Sequence, residues 1–321
     1  MAEQKLYSMQ ELVHKVLASD KFQEIVKDGE KGYYDKHEEV FIPKKVIPSL
    51  IKELTLGPSV VSGTTKLDGY FSLCQVRIKR ALKSNVRHHV IRQYNQIFLR
   101  YLSTEFLKLF INSKVNFAAL YIDIVGSTLL SMRLSPEKLS SLVSIFTQEM
   151  SSVVPLHHGF VLKYAGDSVI AFFPEPENFT QMCDNALGCS MDMRELLKHG
   201  INSALITEGF DPINIRIGIE AGVNQIMQIG GDVDIVGHTM NIAAKVTSMA
   251  KPNGICIGHT AYLSLDRNTK KDFAPLTLEP SSWKYQTSDG KLYQVYEYAG
   301  EEAESSIESK QEITKIDTPK L

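Results

Sequence analysis

The chain has 321 residues, of which 43% are apolar and 22% are charged, and its formal net charge is -2. This length is enough for roughly two globular domains, each with a buried core. The nearly neutral charge argues neither for a nucleic-acid coat nor for an acidic tail protein. We expect no nucleic-acid partner, although composition alone points to no class of partner.

The first residues, MAEQKLYSMQELVHKV, lack the apolar core of a signal peptide, and no segment reaches the roughly 20 apolar residues that cross a bilayer. We therefore expect a cytoplasmic protein without a transmembrane segment. The cysteines are scattered without CxxC spacing, which predicts reduced, buried thiols rather than disulfides or a zinc site. They are Cys74, Cys183, Cys189 and Cys256.

The N-terminal region is predicted to be mainly helical. Residues 56–69, LGPSVVSGTTKLDG, have the composition of a loop, and the apolar spacing from Val86 to Leu102 predicts a helix of about 25 residues. Between Gly69 and Thr104 the sequence has basic but no acidic residues, which indicates either an anionic partner or membrane surface, or a solvated basic face. These residues are Arg77, Lys79, Arg80, Lys83, Arg87, Arg92 and Arg100.

From residue 117 the pattern alternates between strands and helices. FAALYID (117–123) predicts a buried strand, and the stretch 135–154 predicts a helix capped by Ser135. GFVLKY and SVIAFF predict a hairpin around AGD, followed by a second helix over 178–198 and the strand INIRIGIEAG. This β-α-β-β-α-β order predicts an α+β fold with a ferredoxin-like core.

Two aspartates are expected to meet at one end of this sheet. Asp123 ends the first strand and Asp167 begins the third, which is its antiparallel neighbour. Either aspartate alone would fit a turn cap, but two adjacent carboxylates repel unless a cation lies between them, so we predict one or two Mg²⁺ or Mn²⁺ ions. The turn that follows, with Gly126, Ser127 and Thr128, offers backbone N–H groups to phosphate oxygens.

Four segments resemble the catalytic domain of the class III nucleotidyl cyclases, the adenylate and guanylate cyclase family. They are LYIDIVGST, VLKYAGDSVIAFF, IRIGIEAG and GDVDIVGHTMNIAAKV, in the order of the family. The resemblance implies a catalytic domain over 114–298 with a C-terminal hairpin extension. It leaves 1–113 as a regulatory or dimerisation region of unknown type, and 299–321 as a polar tail that we expect to be disordered.

The resemblance also implies roles for individual residues. Asp123, the carbonyl of Ile124 and Asp167 match the metal ligands, which hold two ions per site in the family. Lys163 and Asp234 match the pair that selects adenine, whereas guanylate-type members have a glutamate and a cysteine or similar residue there. Lysine can donate to adenine N1 while the carboxylate accepts from the exocyclic amine.

Three further residues complete the implied site. Asn241 matches the residue that orients the ribose, and Lys245 stands where the family has a transition-state arginine. Lysine keeps the positive charge but lacks the planar fork of arginine, so we expect a working enzyme whose turnover this exchange can slow. Lys284 is the nearest candidate for the basic residue that holds the triphosphate, with an ordinary exposed strand lysine as the alternative. Trp283 is expected to cover the hairpin rather than to stack on the base.

The implied function is that of an adenylate cyclase, a phosphorus-oxygen lyase of signal transduction that converts ATP to 3′,5′-cyclic AMP and pyrophosphate. The resemblance implies a homodimer with sites shared between subunits, and an unidentified regulator of the N-terminal region. A CTP or UTP cyclase on the same scaffold and a catalytically inactive nucleotide-binding sensor remain as alternatives. A diguanylate cyclase fits less well, because Asn241 and the Lys163/Asp234 pair have no place in its chemistry.

Overall fold

The computed structural model describes residues 9–36, 39–48, 51, 65–83, 89–175, 178–278, 283–287 and 289–300. Most of the predicted polar tail, 301–321, and the first part of the predicted loop, 56–64, therefore lie outside the described residues. None of the helices in the described ranges is both long enough and apolar enough to cross a membrane.

The N-terminal region combines helices with a small antiparallel sheet that the sequence analysis did not predict. Its sheet has the strand order β1-β2-β3, and the β1-β2 turn has Asp28 and Gly29 at φ of 50° and 80°, as in a type I′ hairpin. The prediction of a loop over 56–69 is wrong for its last residues, because a helix begins at Thr65. The elements are α1 (Met9–Leu17), β1 (Phe22–Lys27), β2 (Glu30–Asp35), β3 (Val40–Pro43), α2 (Thr65–Lys83) and α3 (His89–Lys108).

The rest of the chain forms one large mixed sheet with helices against it. Its first part has the order β4-α5-β5-β6-α6-β7, which confirms the ferredoxin-like core. The elements are β4 (Lys114–Ile124), α4 (Ser127–Arg133), α5 (Pro136–Val153), β5 (Phe160–Ala165), β6 (Ser168–Pro174), α6 (Phe179–Glu195), a π-helical segment (Leu196–Asn202), α7 (Ser203–Thr207), β7 (Ile215–Ile229), β8 (Asp232–Val236), α8 (His238–Met249), β9 (Gly254–Gly258), α9 (His259–Ser264), β10 (Phe273–Pro275) and β11 (Val295–Tyr298).

The position of β4 in this sheet determines where the candidate site lies. The strand order is β10-β11-β9-β7-β4-β6-β5, with β8 paired to the far end of β7. β4 is antiparallel to both neighbours, so its C-terminal end lies beside the first residues of β6 and β7. In this register Asp123 is directly opposite Arg216, and Ile122 is opposite Val169.

Two apolar clusters hold these elements together. The larger one includes successive residues of β4, such as Ala118, Ala119 and Leu120, all 0% exposed, which shows that both faces of this strand are covered. A second apolar cluster joins α8 to the C-terminal hairpin, in which residues 285–287 pair with residues 291–293. Its buried members are Ile242, Val246, Ala250, Cys256, Trp283, Tyr293 and Val295. The four cysteines are all buried and no disulfide joins them, as predicted.

The N-terminal helices pack directly on the larger sheet and its helices. The Phe106 ring of α3 stacks on the Phe160 ring of β5 with centroids 4.4 Å apart. In α2, the guanidinium of Arg77 forms an ion pair with Glu149 of α5, with Nε 3.0 Å from Oε1. One member of the basic stretch therefore has an internal anionic partner rather than an external one.

Candidate active site

Asp123 and Asp167 lie at the same end of the sheet. Asp123 is the penultimate residue of β4, and Asp167 directly precedes β6. The backbone N–H of Ile124 donates to Oδ2 of Asp167 at 3.1 Å, so the Asp167 carboxylate is held against the end of β4. Both aspartates are half-buried. The strand order thus brings together two carboxylates that are 44 residues apart in the sequence.

A third charged residue, Arg216, completes this cluster and was missed from the sequence. Its Nε and Nη2 donate to Oδ1 and Oδ2 of Asp123 at 3.2 and 3.3 Å. Burial raises the pKa of Asp123, the Arg216 guanidinium opposes that rise, and the nearby Asp167 carboxylate adds to it. The signal in the sequence was one arginine at the start of a strand whose first half is mainly apolar, which alone is typical of an exposed position.

The residues at this end of the sheet fit a hard divalent cation. Burial is the main cause of the raised pKa of Asp123, the nearby Asp167 carboxylate adds to it, and a guanidinium already compensates one of the two carboxylates. Within the described ranges, no group of three His, Cys, Asp or Glu side chains is arranged to hold a metal. A bound ion would therefore take its other ligands from carbonyl, water and phosphate oxygens, which is typical of Mg²⁺.

The turn after β4 contains the three residues that the sequence analysis selected for phosphate contacts. Gly126 has φ of 71°, in the left-handed region that favours glycine, and it precedes α4. A Cβ added to Gly126 would meet no atom within 4 Å, so backbone conformation rather than space calls for glycine. Ser127 and Thr128 are the first two residues of α4.

Lys163 and Asp234 form an ion pair, although they lie on different strands. Lys163 Nζ is 2.8 Å from Asp234 Oδ2, and the backbone N–H of Ile235 donates to Asp234 Oδ1 at 2.8 Å. The β5 register shifts between Val161 and Lys163, and a bulge of this kind re-aims the side chains next to it. The result is one cationic donor and one carboxylate acceptor, both partly exposed, at one place.

Asn241 and Lys245 lie one turn apart on the exposed face of α8. Their neighbours Ile242 and Val246 point the other way, into the second apolar cluster. Trp283 is in the same cluster, and it directly precedes the exposed Lys284. One small core therefore anchors the residues next to Asn241, Lys245 and Lys284.

Trp283 is 3% exposed, and its Nε1 donates to the carbonyl of Tyr293 at 2.7 Å. A ring buried in this way covers the hairpin and offers no face to a nucleotide base. This placement agrees with the predicted covering role.

Comparison with known proteins identifies the family. A family model described as the adenylate and guanylate cyclase catalytic domain matches residues 111–287, which is more than half of the chain. The chain belongs to the class III nucleotidyl cyclases. The fold of this cyclase agrees with that assignment, since the crystal structure of the guanylyl cyclase Cya2 superposes with a TM-score of 0.51 over 59% of this chain and 94% of that one, at 20% identity.

Curated relatives of this cyclase carry different substrate names. Over 143 residues it is 29% identical to adenylate cyclase 1 of Rhizobium meliloti (strain 1021), covering 43% of this chain and 21% of that protein. Over 172 residues it is 24% identical to cytidylate cyclase of Staphylococcus aureus, covering 51% of this chain and 40% of that protein. The chain spans only about a fifth to a quarter of the length of the first curated relatives, 21% to 24%. Family membership therefore leaves the nucleotide base of this cyclase open.

Proposed function

We propose that this cyclase is an adenylate cyclase that converts ATP to 3′,5′-cyclic AMP and pyrophosphate. The observation that carries the proposal is the contact of 2.8 Å between Lys163 Nζ and Asp234 Oδ2. Adenine presents an acceptor at N1 beside a donor at its exocyclic amine, and a paired ammonium and carboxylate offer the complementary groups. Guanine instead presents a donor at N1 and an acceptor oxygen at O6, so it does not complement this pair in the same way.

A CTP cyclase is the second candidate, and the same ion pair favours it. Cytosine also presents a ring nitrogen acceptor beside an exocyclic amine donor, so Lys163 and Asp234 complement both bases. The similarity to a cytidylate cyclase of Staphylococcus aureus supports this alternative. Because both bases present the same acceptor and donor to this ion pair, only their difference in size can distinguish ATP from CTP at this site.

The two aspartates are proposed to hold the metal ions of the reaction, with the carbonyl of Ile124 as a further ligand. Mg²⁺ or Mn²⁺ bound there would lower the pKa of the ribose 3′-hydroxyl and neutralise charge on the phosphates. The 3′-hydroxyl gives its proton to a water or to Asp123, and its oxygen forms a bond to the α-phosphorus as the bond to pyrophosphate breaks. The protein's part is to hold these groups in line.

The remaining proposed residues bind and orient the nucleotide. Asn241 orients the ribose, and Lys245, one turn later on the same exposed face of α8, places a positive charge at the α-phosphate. Lys284 and the backbone of the turn over 126–128 hold the other phosphates. A well-placed charge of this kind contributes on the order of 10² to 10³ in rate.

We also propose that two copies share each site. Apolar side chains are exposed on the β7-β8 hairpin, near Asp234 of the proposed adenine-binding pair. Others are exposed on α4, which follows the proposed metal ligand Asp123. Exposed apolar patches of this kind mark protein contacts. On the hairpin they are Met227 (39%), Ile229 (51%) and Val236 (44%), just before it on β7 is Val223 (52%), and on α4 they are Leu129 (58%) and Met132 (77%). A head-to-tail homodimer would cover both patches.

The proposed catalytic part is 114–298. We propose that 1–113 regulates it or supports dimerisation, in response to a partner that the sequence does not identify. The packing of α2 and α3 on α5 and β5 gives this region a direct physical connection to the catalytic part.

The deciding experiment incubates the purified chain with Mg²⁺ or Mn²⁺ and each of ATP, GTP, CTP and UTP, and identifies the products after separation. We expect cyclic AMP from the wild type and none from Asp167→Ala. Cyclic CMP as the main product would support the second candidate. Metal-dependent ATP binding without any cyclic product would instead indicate a nucleotide sensor.

A further inference from the structure

Glu220 is a buried carboxyl group that the proposed site does not use. It lies on β7, four positions after Arg216, and it is 0% exposed. Burial raises its pKa to about 7, although several hydrogen bonds act in the opposite direction. A buried carboxyl group is costly unless donors surround it, so its partners indicate what it holds in place.

The two oxygens of Glu220 connect three elements. Oε1 accepts from the backbone N–H of Ala221 at 2.7 Å and of Ala261, in α9, at 3.0 Å. Oε2 accepts from the hydroxyl of Tyr293 at 2.6 Å. The Tyr293 hydroxyl is also 2.8 Å from Thr260 Oγ1. Glu220 thus joins the central part of the sheet to α9 and to the C-terminal hairpin.

The backbone around Glu220 leaves room for this contact. Gly258 lies opposite at the end of β9, and a Cβ there would be 1.7 Å from Glu220 Oε2. Only glycine therefore allows the carboxylate to reach Tyr293 along this path.

Tyr293 in turn fixes the segment that carries Lys284. Its backbone N–H donates to the carbonyl of Tyr285 at 2.8 Å. Its carbonyl accepts from Trp283 Nε1 at 2.7 Å. Lys284 lies between these two residues in the sequence, so both of its neighbours are bonded to the residue whose hydroxyl Glu220 holds.

We infer that Glu220 is a positioning residue that acts through Tyr293 to hold Lys284 toward the phosphate chain of the nucleotide. This inference rests on the proposed function, in which Lys284 binds the triphosphate. The second apolar cluster adds to the effect, because Tyr293 and Trp283 pack there with Ile242 and Val246, the neighbours of Asn241 and Lys245.

The first test needs no nucleotide. The chain has one tryptophan, Trp283, so its fluorescence reports on the segment next to Lys284. In Tyr293→Phe we expect the emission to move to longer wavelength as the ring gains contact with water. Tyr285→Phe is the matched control, because it removes the hydroxyl of an exposed tyrosine on the same segment and keeps its ring against Trp283. Unchanged emission in Tyr293→Phe would overturn the inference.

The second test is a double-mutant cycle in nucleotide affinity. The ligand is 3′-deoxyATP with Mg²⁺, which lacks the attacking hydroxyl, and the dissociation constant is measured by calorimetry. We expect Tyr293→Phe to weaken binding by about three- to tenfold in the wild-type background, as for loss of one hydrogen bond. In the Lys284→Ala background it should weaken binding no further. Equal weakening in both backgrounds would overturn the positioning role.

Glu220→Gln, which keeps the shape of the side chain but not its charge, is expected to give the same non-additive pattern. It serves as the second variant if circular dichroism shows that Tyr293→Phe folds poorly. A chain that binds 3′-deoxyATP but cyclises no nucleoside triphosphate would refute the proposed function alone. A chain that does not bind this ligand would refute both.

Discussion

Arg216 and Asp123 face each other across β7 and β4, with both carboxylate oxygens of Asp123 within 3.3 Å of the guanidinium. The two residues are direct cross-strand partners in the sheet register. A divalent cation between Asp123 and Asp167 would compete with this guanidinium for the same oxygens. The ion pair and the proposed metal site are therefore coupled.

Replacement of Arg216 by methionine tests that coupling. Without divalent ions we expect Arg216→Met to lower the free energy of unfolding by roughly 1 to 3 kcal/mol, because the adjacent carboxylates lose their only observed side-chain counter-charge in the described part of the chain. With Mn²⁺ present the loss should shrink, since the ion replaces the guanidinium. The measurement is the midpoint of thermal unfolding, taken once with EDTA and once with Mn²⁺. The control is Arg133→Met, which changes an exposed arginine on α4. The same loss under both conditions would contradict competition for Asp123.

Sharing of the site between subunits predicts complementation. Asp123→Ala and Lys163→Ala proteins should each be almost inactive, with losses of at least about 100-fold. When they are mixed, one intact hybrid site should form in half of the dimers, which gives about a quarter of wild-type activity. The rate of cyclic AMP formation is followed against mixing ratio. If both variants are folded and dimeric and the mixture stays inactive, the sites are not shared.

Lys245→Arg tests the exchange of lysine for the family's arginine. The side chain is exposed on α8, so the larger guanidinium has room, and its planar fork matches phosphate better than an ammonium does. We expect turnover to stay equal or to rise, while Lys245→Met should lower it on the order of 10²-fold. Lys114→Arg, an exposed lysine at the start of β4, is the control in the same kinetic assay. A clear fall in turnover for Lys245→Arg would mean that Lys245 does not occupy the arginine position.

Glu220 predicts a specific dependence of stability on pH. Its pKa is about 7 in the folded chain against an ordinary value of 4.5, so folding favours the protonated form. Its contribution is fully present below about pH 4.5 and is lost as pH rises through 7, for a total of about 3 kcal/mol. Glu220→Gln cannot ionise, so the difference in unfolding free energy between wild type and variant should change over this range. Urea titrations at a series of pH values measure it, and a constant difference would show that Glu220 does not titrate there.

The order of strands could be predicted because each segment has its own local signal. Ser135 caps α5 and accepts from the Lys138 N–H, as its position before Pro136 indicated. The small N-terminal sheet was missed, although Asp28 and Gly29 carry the Asp-Gly signal of a hairpin. Its flanking strands are short and largely polar, so the alternation that normally identifies strands is weak there.

The residues that surround the site were harder to predict than the site itself. Asp123 and Asp167 were selected because fold topology relates their positions. Arg216 and Glu220 have no such signal, since both appear in the sequence only as charged residues within the mainly apolar first half of β7. Their partners, Asp123 and Tyr293, lie 93 and 73 residues away, and only the folded register shows that they meet.

The ion pair between Arg77 and Glu149 has a practical consequence for dissecting this protein. Glu149 is 3% exposed, and its counter-charge comes from α2, which precedes the family-matched residues 111–287. A fragment that starts at residue 114 would lose this guanidinium together with α2 and α3, and would expose the side chains of α5 and β5 on which the two helices pack, Phe160 among them. Weak activity of such a fragment would then reflect poor folding, and it would not show whether residues 1–113 activate or inhibit the catalytic part. Truncation studies of this cyclase should therefore retain α2 and α3.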